Sequence, residues 1–465
     1  MSHKIAFTTL GCKLNYAETS TYRRGFEAAG WEVVPWTQKA DVYLVNTCAV
    51  TAVAEKKSRN LIRRAHSLSP DAHILVTGCY AELRRSELES MPGVWHVYGA
   101  NEKSKIIDLV KDENFFLASG DSLMSGELHS ASLHSGPSHC LPRPRKRELV
   151  SNGPLPLPVS GGGHVPGHQR SPDNAFEKVF GAYSTGERTR SFLKVQDGCD
   201  NFCAYCTVPF ARGRSRSLPV CECVRNAREI ASQGIREVVL TGVNTGDFGR
   251  GTTESFLDLL KALNEVPDID RYRISSIEPN LITEEIVDWI ASGTKFQPHF
   301  HIPLQSGSDT LLKKVGRRYD TALFAQRISY IRSKMGPHVF FGIDVIVGLP
   351  GETEELFQET VAFLRDVVKP AFIHVFPYSK RPGTRAAEWP GQVPESVKKE
   401  RVAALEALCA QLHDEFVCSC KGLRAEVLWE SARKDGMMGG YTGNYIRVER
   451  PWDASRVNTL EEVVL

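Results

Sequence analysis

The sequence has no long hydrophobic run and almost no net charge. None of its apolar stretches approaches the roughly 18 residues that a membrane-spanning helix needs, and the amino terminus shows no secretory signal. The 57 Lys and Arg residues nearly balance the 55 Asp and Glu residues, which gives a net charge of +2. We therefore expect a cytoplasmic protein with no membrane partner, in which local basic patches hold any nucleic acid.

Cysteine, in contrast, is plentiful, with 12 among 465 residues. In a reducing compartment such a number indicates metal binding or redox chemistry before disulfides. The length is consistent with about three domains.

Three of the cysteines form a compact CxxxCxxC motif: Cys199, Cys203 and Cys206. Three thiolates can hold three irons of a 4Fe-4S cube and leave the fourth iron open for chemistry. A zinc site and a disulfide are the alternatives. Zinc usually has four ligands in paired CxxC or CxxH knuckles, and the next cysteines, Cys221 and Cys223, have the wrong spacing for a second knuckle.

Residues 1–118 alternate strand and helix. The apolar pattern predicts strands at 4–9, 42–46 and 74–77, with helices at 17–29 and 52–66. This βαβαβ order predicts a parallel sheet with helices packed on it.

A second set of cysteines follows these three strands. Cys12, Cys48 and Cys79 each come just past a predicted strand. The carboxyl ends of neighbouring parallel strands meet at one edge of a sheet, so we expect the three thiols to converge there. Buried cysteines that merely pack the sheet are the alternative. We favour a second iron-sulphur cluster with three protein ligands.

The composition of the middle of the chain changes at residue 186. Residues 119–185 are rich in Pro, Gly and Ser, which predicts a largely disordered insertion or linker. Residues 186–418 return to the βα pattern, with strands predicted at 192–195, 237–241, 272–276, 299–303, 339–347 and 372–376. Six such units predict a partial (β/α)6 barrel, whose chemistry gathers at the carboxyl ends of the strands.

The tail, residues 419–465, is predicted to be a small β-barrel. Its strands are expected at 424–429, 445–449 and 460–465, with a turn in the Gly-Met-Met-Gly-Gly run at 436–440. Seven Lys or Arg residues and seven Asp or Glu residues lie between Lys421 and Leu465, so the tail has no net basic charge.

Both cysteine sets together resemble the radical S-adenosylmethionine (SAM) methylthiotransferases. The resemblance includes Leu10-Gly-Cys-Lys-Leu-Asn15 and Val45-Asn-Thr-Cys-Ala-Val-Thr51 in the first domain. In the barrel it includes the cysteine loop, Arg273-Ile-Ser-Ser-Ile-Glu-Pro279, His301-Ile-Pro-Leu-Gln-Ser-Gly-Ser308 and Gly342-Ile-Asp-Val-Ile-Val-Gly-Leu-Pro-Gly-Glu352. The tail resembles an RNA-binding TRAM domain.

The run after Cys48 is most similar to the branch that acts on N6-threonylcarbamoyladenosine in tRNA. This resemblance implies transfer of a methylthio group to C2 of that base at position 37, beside the anticodon. The alternatives are isopentenyladenosine in tRNA, an aspartate of a ribosomal protein, and a non-catalytic metal-binding or RNA-binding module.

The resemblance also implies cofactors and partners. It implies two 4Fe-4S clusters and SAM, an anticodon stem-loop as substrate, and a flavodoxin- or ferredoxin-type electron donor. The residues expected to contact SAM are Gly242, Asn244, Ser275, Glu278, Gly342 and Gly348. Glycines that only shape turns are the alternative.

Two basic groups are candidates for RNA contact. Lys56, Arg59 and Arg63 share one face of a predicted helix after Cys48, and Arg212, Arg214 and Arg216 alternate after the cysteine loop. Both groups lie beside a predicted cluster, where an anticodon loop has to arrive. An ordinary solvated face is the alternative.

Overall fold

The amino-terminal part of the chain is a five-stranded parallel sheet covered by helices. The computed structural model describes residues 3–109, 179–186 and 189–465. The first range contains, in order, β1 Lys4–Thr9, α1 Lys13–Ala28, β2 Glu32–Val34, β3 Val42–Thr47, α2 Ala52–Leu68, β4 His73–Gly78, α3 Cys79–Leu83, α4 Arg85–Glu89, β5 Val94–Val97 and α5 Lys105–Asp108. The strand order is β2-β1-β3-β4-β5. The predicted parallel sheet is confirmed, and the sequence pattern missed its short edge strands β2 and β5.

The central part is an open barrel of parallel strands. Its first elements are β6 Ala182–Tyr183, β7 Arg190–Lys194, β8 Gln196–Asp197, α6 Val208–Arg212, β9 Arg216–Ser217, α7 Val220–Ser232, β10 Glu237–Thr241, α8 Phe256–Asn264, β11 Arg271–Ile274 and α9 Glu284–Ala291. The remainder are β12 His299–Gln305, α10 Asp309–Val315, α11 Thr321–Met335, β13 Phe340–Val347, α12 Glu354–Ala362, β14 Phe372–Pro377, α13 Arg385–Glu388 and α14 Glu395–Ser419.

Six of these strands follow one another around the barrel. β7, β10 and β11 pair in parallel, as do β12, β13 and β14. Single bridges, including Ser276 to His301, join the two halves between β11 and β12. The predicted partial barrel is therefore confirmed. Strand β6 pairs antiparallel with β7, so Ala182 and Tyr183 belong to the barrel sheet rather than to the predicted linker. Residues 119–178 of that linker lie outside the described residues.

The carboxyl-terminal residues form an antiparallel half-barrel of four strands. They are β15 Arg424–Lys434, β16 Met437–Thr442, β17 Arg447–Pro451 and β18 Leu460–Val464, in the order β17-β16-β15-β18. The turn predicted at 436–440 is wrong, because that run is mostly β16 and the reversal occurs at Asp435-Gly436, both with positive φ. Gly440 suits a strand here because a Cβ would lie 2.5 Å from Val427 Cγ1.

A buried cluster of charged side chains joins the first sheet to the barrel. Glu18 of α1 is fully buried, and its Oε1 accepts from Lys103 Nζ at 2.8 Å and Lys194 Nζ at 2.6 Å. Arg212 Nη1 lies 3.3 Å from the same oxygen and 2.9 Å from Asp197 Oδ1. Burial alone would raise the pKa of Glu18. The three cations outweigh burial, and the pKa lies well below its ordinary value.

We expect Glu18→Gln to lower the free energy of unfolding by about 3–5 kcal/mol, because it leaves buried cations without their carboxylate. Urea unfolding followed by circular dichroism measures the loss. The matched control is Glu27→Gln on the same helix, whose carboxylate forms an exposed pair with Arg23 and should matter little.

The stability lost in Glu18→Gln should also depend on pH. Because the folded-state pKa of Glu18 is depressed, its contribution is complete above the ordinary value near 4.5 and is lost as the pH falls below it. The difference in stability between the native protein and Glu18→Gln should therefore shrink in acid. A difference that stays constant from pH 7 to pH 3 would contradict this account.

Candidate functional site

The cysteines of the first set meet at one edge of the amino-terminal sheet. Cys12 precedes α1, Cys48 follows β3 and Cys79 opens α3, and β1, β3 and β4 are adjacent parallel strands. Cys48 packs against the backbone before Cys12, since a Cβ on Gly11 would lie 3.0 Å from Cys48 Sγ.

Polar side chains fix the three segments that carry these cysteines. Asn15 Nδ2 donates to Leu10 O at 2.8 Å and to Thr47 O at 3.0 Å. Thr47 Oγ1 donates to Thr77 O at 2.6 Å and accepts from Ala81 N at 3.2 Å. All three strand ends are thus held in one hydrogen-bonded network.

The second set lies in the loop after β8. Backbone N–H groups of this loop point at two of the sulphur atoms: Asn201 N lies 3.5 Å from Cys199 Sγ, and Val208 N lies 3.4 Å from Cys206 Sγ. Such donors stabilise thiolates and tune the potential of a bound iron-sulphur cluster. Gly198, at φ +75°, permits the entry turn, because a Cβ there would lie 2.0 Å from Arg214 O.

The sulphur atoms of each set are spread more widely than the ligands of a single zinc ion. Zn–S bonds of about 2.3 Å keep two ligands within about 4.6 Å of each other. Among the described residues, the one group of three His, Cys, Asp or Glu ligand atoms lying within 4.8 Å of each other is His301, Asp344 and His374. Neither cysteine trio is therefore close enough for one ion. In a cubane each thiolate binds a different iron.

Burial favours the protonated form of several of these thiols. Burial, with repulsion from Cys79, raises the pKa of Cys48 to about 12. Burial also raises the pKa values of Cys199 and Cys206 to about 12. Metal loading of either set should therefore release protons.

The sequence pattern missed a cation beside the second set. Arg317 Nη1 lies 3.3 Å from Cys203 Sγ, and Nη2 lies 2.7 Å from Glu278 Oε1. Arg317 lies beyond the end of α10, more than a hundred residues from the cysteine loop, so no local spacing links it to Cys203. Its charge can balance a thiolate and hold Glu278 in place.

Three of the residues predicted to contact SAM surround the cysteine loop. Gln196 links two of them, Gly242 and Asn244, to the loop: its Nε2 donates to Gly198 O at 2.8 Å, and its Oε1 accepts from Asn244 N at 3.0 Å. Gly242 packs against the same side chain, with its Cβ position 2.8 Å from Gln196 Oε1. Glu278 Oε1 accepts from Asn201 Nδ2 at 2.7 Å.

The other three predicted SAM contacts lie in different surroundings. Ser275 Oγ is buried without a hydrogen-bond partner in the part of the chain that is described. Gly348 packs on Lys398, whose Cγ would lie 2.4 Å from an added Cβ. Gly342 lines a cavity inside the barrel and is not part of the group around Gln196.

The structure divides the residues predicted to contact RNA. Lys56, Arg63 and Arg214 are exposed. Arg59 is half-buried and donates to Tyr80 and Glu87.

The prediction for Arg212 is wrong, because its side chain is 2% exposed and bonds Asp197, Glu18 and Asn15. Arg216 donates to the carbonyl oxygens of Arg212 and Arg214, so it supports the loop. Of these three arginines, Arg214 is therefore the most exposed to solvent.

Comparison with known proteins gives two family matches. The profile described as uncharacterized protein family UPF0004 matches residues 4–99, and that of the Radical SAM superfamily matches residues 193–364. The threonylcarbamoyladenosine tRNA methylthiotransferase MtaB of Bacillus subtilis (strain 168) is 38% identical over 453 residues, covering 96% of this chain and 89% of that protein. A tRNA-2-methylthio-N(6)-dimethylallyladenosine synthase of Nitratidesulfovibrio vulgaris (strain ATCC 29579) is 31% identical, covering 93% and 87%.

A solved structure supports the fold. The radical SAM methyltransferase TsrM of Kitasatospora setae, solved with cobalamin and a [4Fe-4S] cluster, aligns with a TM-score of 0.53 and 14% identity. The alignment covers 94% of this chain and 77% of that one. At this identity the likeness concerns the fold alone. Of the helices in the described ranges, none is long and apolar enough to cross a membrane.

We expect Gly78→Ala to destabilise the first cysteine set. Gly78 has φ +100°, and a Cβ there would lie 2.3 Å from Thr47 O, so both strain and collision oppose the change. The control is Gly30→Ala, at φ +84° with open space around it, which carries strain alone. The thermal unfolding midpoint should fall clearly further for Gly78→Ala. Equal shifts would contradict the collision.

Proposed function

Since the chain belongs to the radical-SAM methylthiotransferase family, we propose that it transfers a methylthio group to C2 of N6-threonylcarbamoyladenosine at position 37 of tRNA. The observation that carries the proposal is the gathering of two separate cysteine trios, on the sheet edge and in the barrel loop. One trio suits a cluster that binds SAM, and the other suits a second cluster that holds sulphur.

The roles of the cysteines follow from the reaction. Cys199, Cys203 and Cys206 would hold the SAM-binding cluster, and Cys12, Cys48 and Cys79 the second cluster. The C2–H bond of adenine is too weakly acidic for a side-chain base, so the reaction needs a radical. When bound, the clusters and SAM supply that radical and the sulphur.

The remaining residues bind and orient. Arg317 offsets charge at Cys203 and positions Glu278, while Gln196 holds the backbone at Gly242 and Asn244 against the cysteine loop. These five residues are close to the cysteine loop that would hold the SAM-binding cluster. The hydroxyl of Ser275 is buried and has no hydrogen-bond partner among the described residues, so it is available to bond SAM.

The choice of threonylcarbamoyladenosine rests on relatives. MtaB of Bacillus subtilis shares 38% identity with this chain, against 31% for the dimethylallyladenosine enzyme. Lys56, Arg63 and Arg214 are the exposed cations that would meet the anticodon stem-loop, and their contacts with phosphate would weaken as salt rises. A flavodoxin- or ferredoxin-type protein would supply the electron.

We expect each trio to hold its own iron. Anaerobically reconstituted protein should contain about eight irons per chain, since each cube has four. Replacing Cys199, Cys203 and Cys206 by Ala should halve the iron and abolish cleavage of SAM to 5′-deoxyadenosine. Replacing Cys12, Cys48 and Cys79 should halve the iron, keep that cleavage and abolish methylthio transfer. The control is Cys221→Ala, at an exposed cysteine. Four irons in the native protein would refute the second cluster.

We expect a deletion strain to lose 2-methylthio-N6-threonylcarbamoyladenosine from its tRNA and to accumulate the precursor without the methylthio group. Mass spectrometry of tRNA nucleosides measures both. The native gene should restore the product, whereas one encoding Cys203→Ala should not. Loss of the methylthio group from isopentenyladenosine instead would assign the chain to the other branch.

A further inference from the structure

A cavity of about 700 Å³ lies inside the barrel and begins at Cys12. Its wall is formed by the first halves of the barrel strands, by the end of β1 with Lys13, and by tyrosines of the carboxyl-terminal sheet. Four Lys or Arg side chains line it, and none of its described lining residues is Asp or Glu. The cavity is therefore built for a polar or anionic group.

Three of the four cations already have partners. Arg190 and Arg273 share Glu237, which lies behind the wall, and Arg447 pairs with Glu449 at 2.8 Å. Lys13 differs, since its ammonium forms neither a hydrogen bond nor an ion pair with the residues that the structure describes, although the carboxylate of Asp344 acts on it from a distance. Lys13 is the free cation of the described wall, and it is the residue next to Cys12.

Strands β12 and β14 contribute polar side chains to the wall. His301 Nε2 lies 2.6 Å from Asp344 Oδ1, and the His374 ring stacks on the His301 ring at 4.9 Å and 22°. Both histidines face the cavity. A ligand that enters the cavity meets the ammonium of Lys13, next to Cys12, and the imidazoles of His301 and His374, which suits an anion with further polar atoms.

The proposed substrate carries such a group. On adenine, N1 lies between C2 and C6, so a substituent on N6 leaves from the same ring edge as C2. A sulphur delivered to C2 from the trio that includes Cys12 therefore brings the threonyl carboxylate close to that trio. Thiolate ligands make the surroundings negative, so the carboxylate needs a cation there.

We propose that Lys13 binds the carboxylate of the threonylcarbamoyl group within this cavity and thereby selects N6-threonylcarbamoyladenosine over bases with an uncharged N6 substituent. The inference rests on the proposed function. A dimethylallyl group would leave the Lys13 ammonium without a partner, and a site with an unpaired charged group rejects such an analogue strongly.

Binding of three anticodon stem-loops to the anaerobically reconstituted protein tests this inference. They carry threonylcarbamoyladenosine, its carboxyl methyl ester, or unmodified adenosine at position 37, and fluorescence anisotropy gives each Kd. The native protein should bind the acid at least about tenfold more tightly than the ester or adenosine. Lys13→Met should lose that preference and bind all three alike, at the affinity the native protein shows for the ester.

Matched variants separate the carboxylate from the RNA backbone. Lys13→Arg keeps the charge and should keep the preference, while Lys261→Met, at an exposed lysine of α8, should behave as the native protein. Variants are compared at equal iron content, and Lys13→Gln replaces Lys13→Met if the latter loses iron.

Two failures are distinguishable. If the native protein prefers the acid and Lys13→Met or Lys13→Gln keeps that preference, the inference is overturned and the proposed function stands. Equal weakening of all three RNAs by Lys13→Met also overturns it, because it indicates a phosphate contact. If the native protein binds all three RNAs alike and tRNA from the deletion strain keeps its methylthio group, the proposed function itself fails.

Discussion

The buried carboxylate of Glu18 is the contact on which the arrangement of the two cysteine sets depends. It receives Lys103 from the first domain and Lys194 and Arg212 from the barrel, so one fully buried oxygen ties both parts together. Arg212 also contacts Asp197, two residues before Cys199, and Asn15, three residues after Cys12. A short chain of charged groups therefore spans from one trio to the other. Desolvation makes such a cluster costly, but its geometry is highly specific.

This dependence explains why a βα sheet and an open barrel serve one reaction. Parallel strands bring residues far apart in sequence to one edge, which is how Cys12, Cys48 and Cys79 converge. A loop instead supplies Cys199, Cys203 and Cys206 from eight consecutive residues. The sheet holds the first set in place. The loop that carries the second set is held by contacts with Gln196, with Arg317 and with neighbouring backbone.

The sequence pattern predicted what is local or periodic. It predicted both ends of β1 and of β10 correctly, because apolar runs bounded by turns are typical of buried parallel strands. It missed Arg317 and Lys13, whose roles depend on contacts formed only by folding. It also misassigned Arg212, since a basic run in sequence does not reveal which member is buried against acids from another domain. Spacing singled out the two cysteine sets, whereas the burial and pairing of charged side chains became known only from the coordinates.

In the barrel, charged side chains that line the cavity have a structural role. Arg190 and Arg273 carry no net charge when they are taken together with their partners Glu237 and Glu430. The two arginines fasten the carboxyl-terminal sheet through the hydroxyl of Tyr445 and the carbonyl oxygens of Thr442 and Gly443. Their charges thus serve structure although they face a cavity. Because pairing neutralises the arginines there, a single unpaired ammonium suffices to make the cavity selective for an anion. The end of the cavity beside Cys12 is where such a charge affects the substrate most.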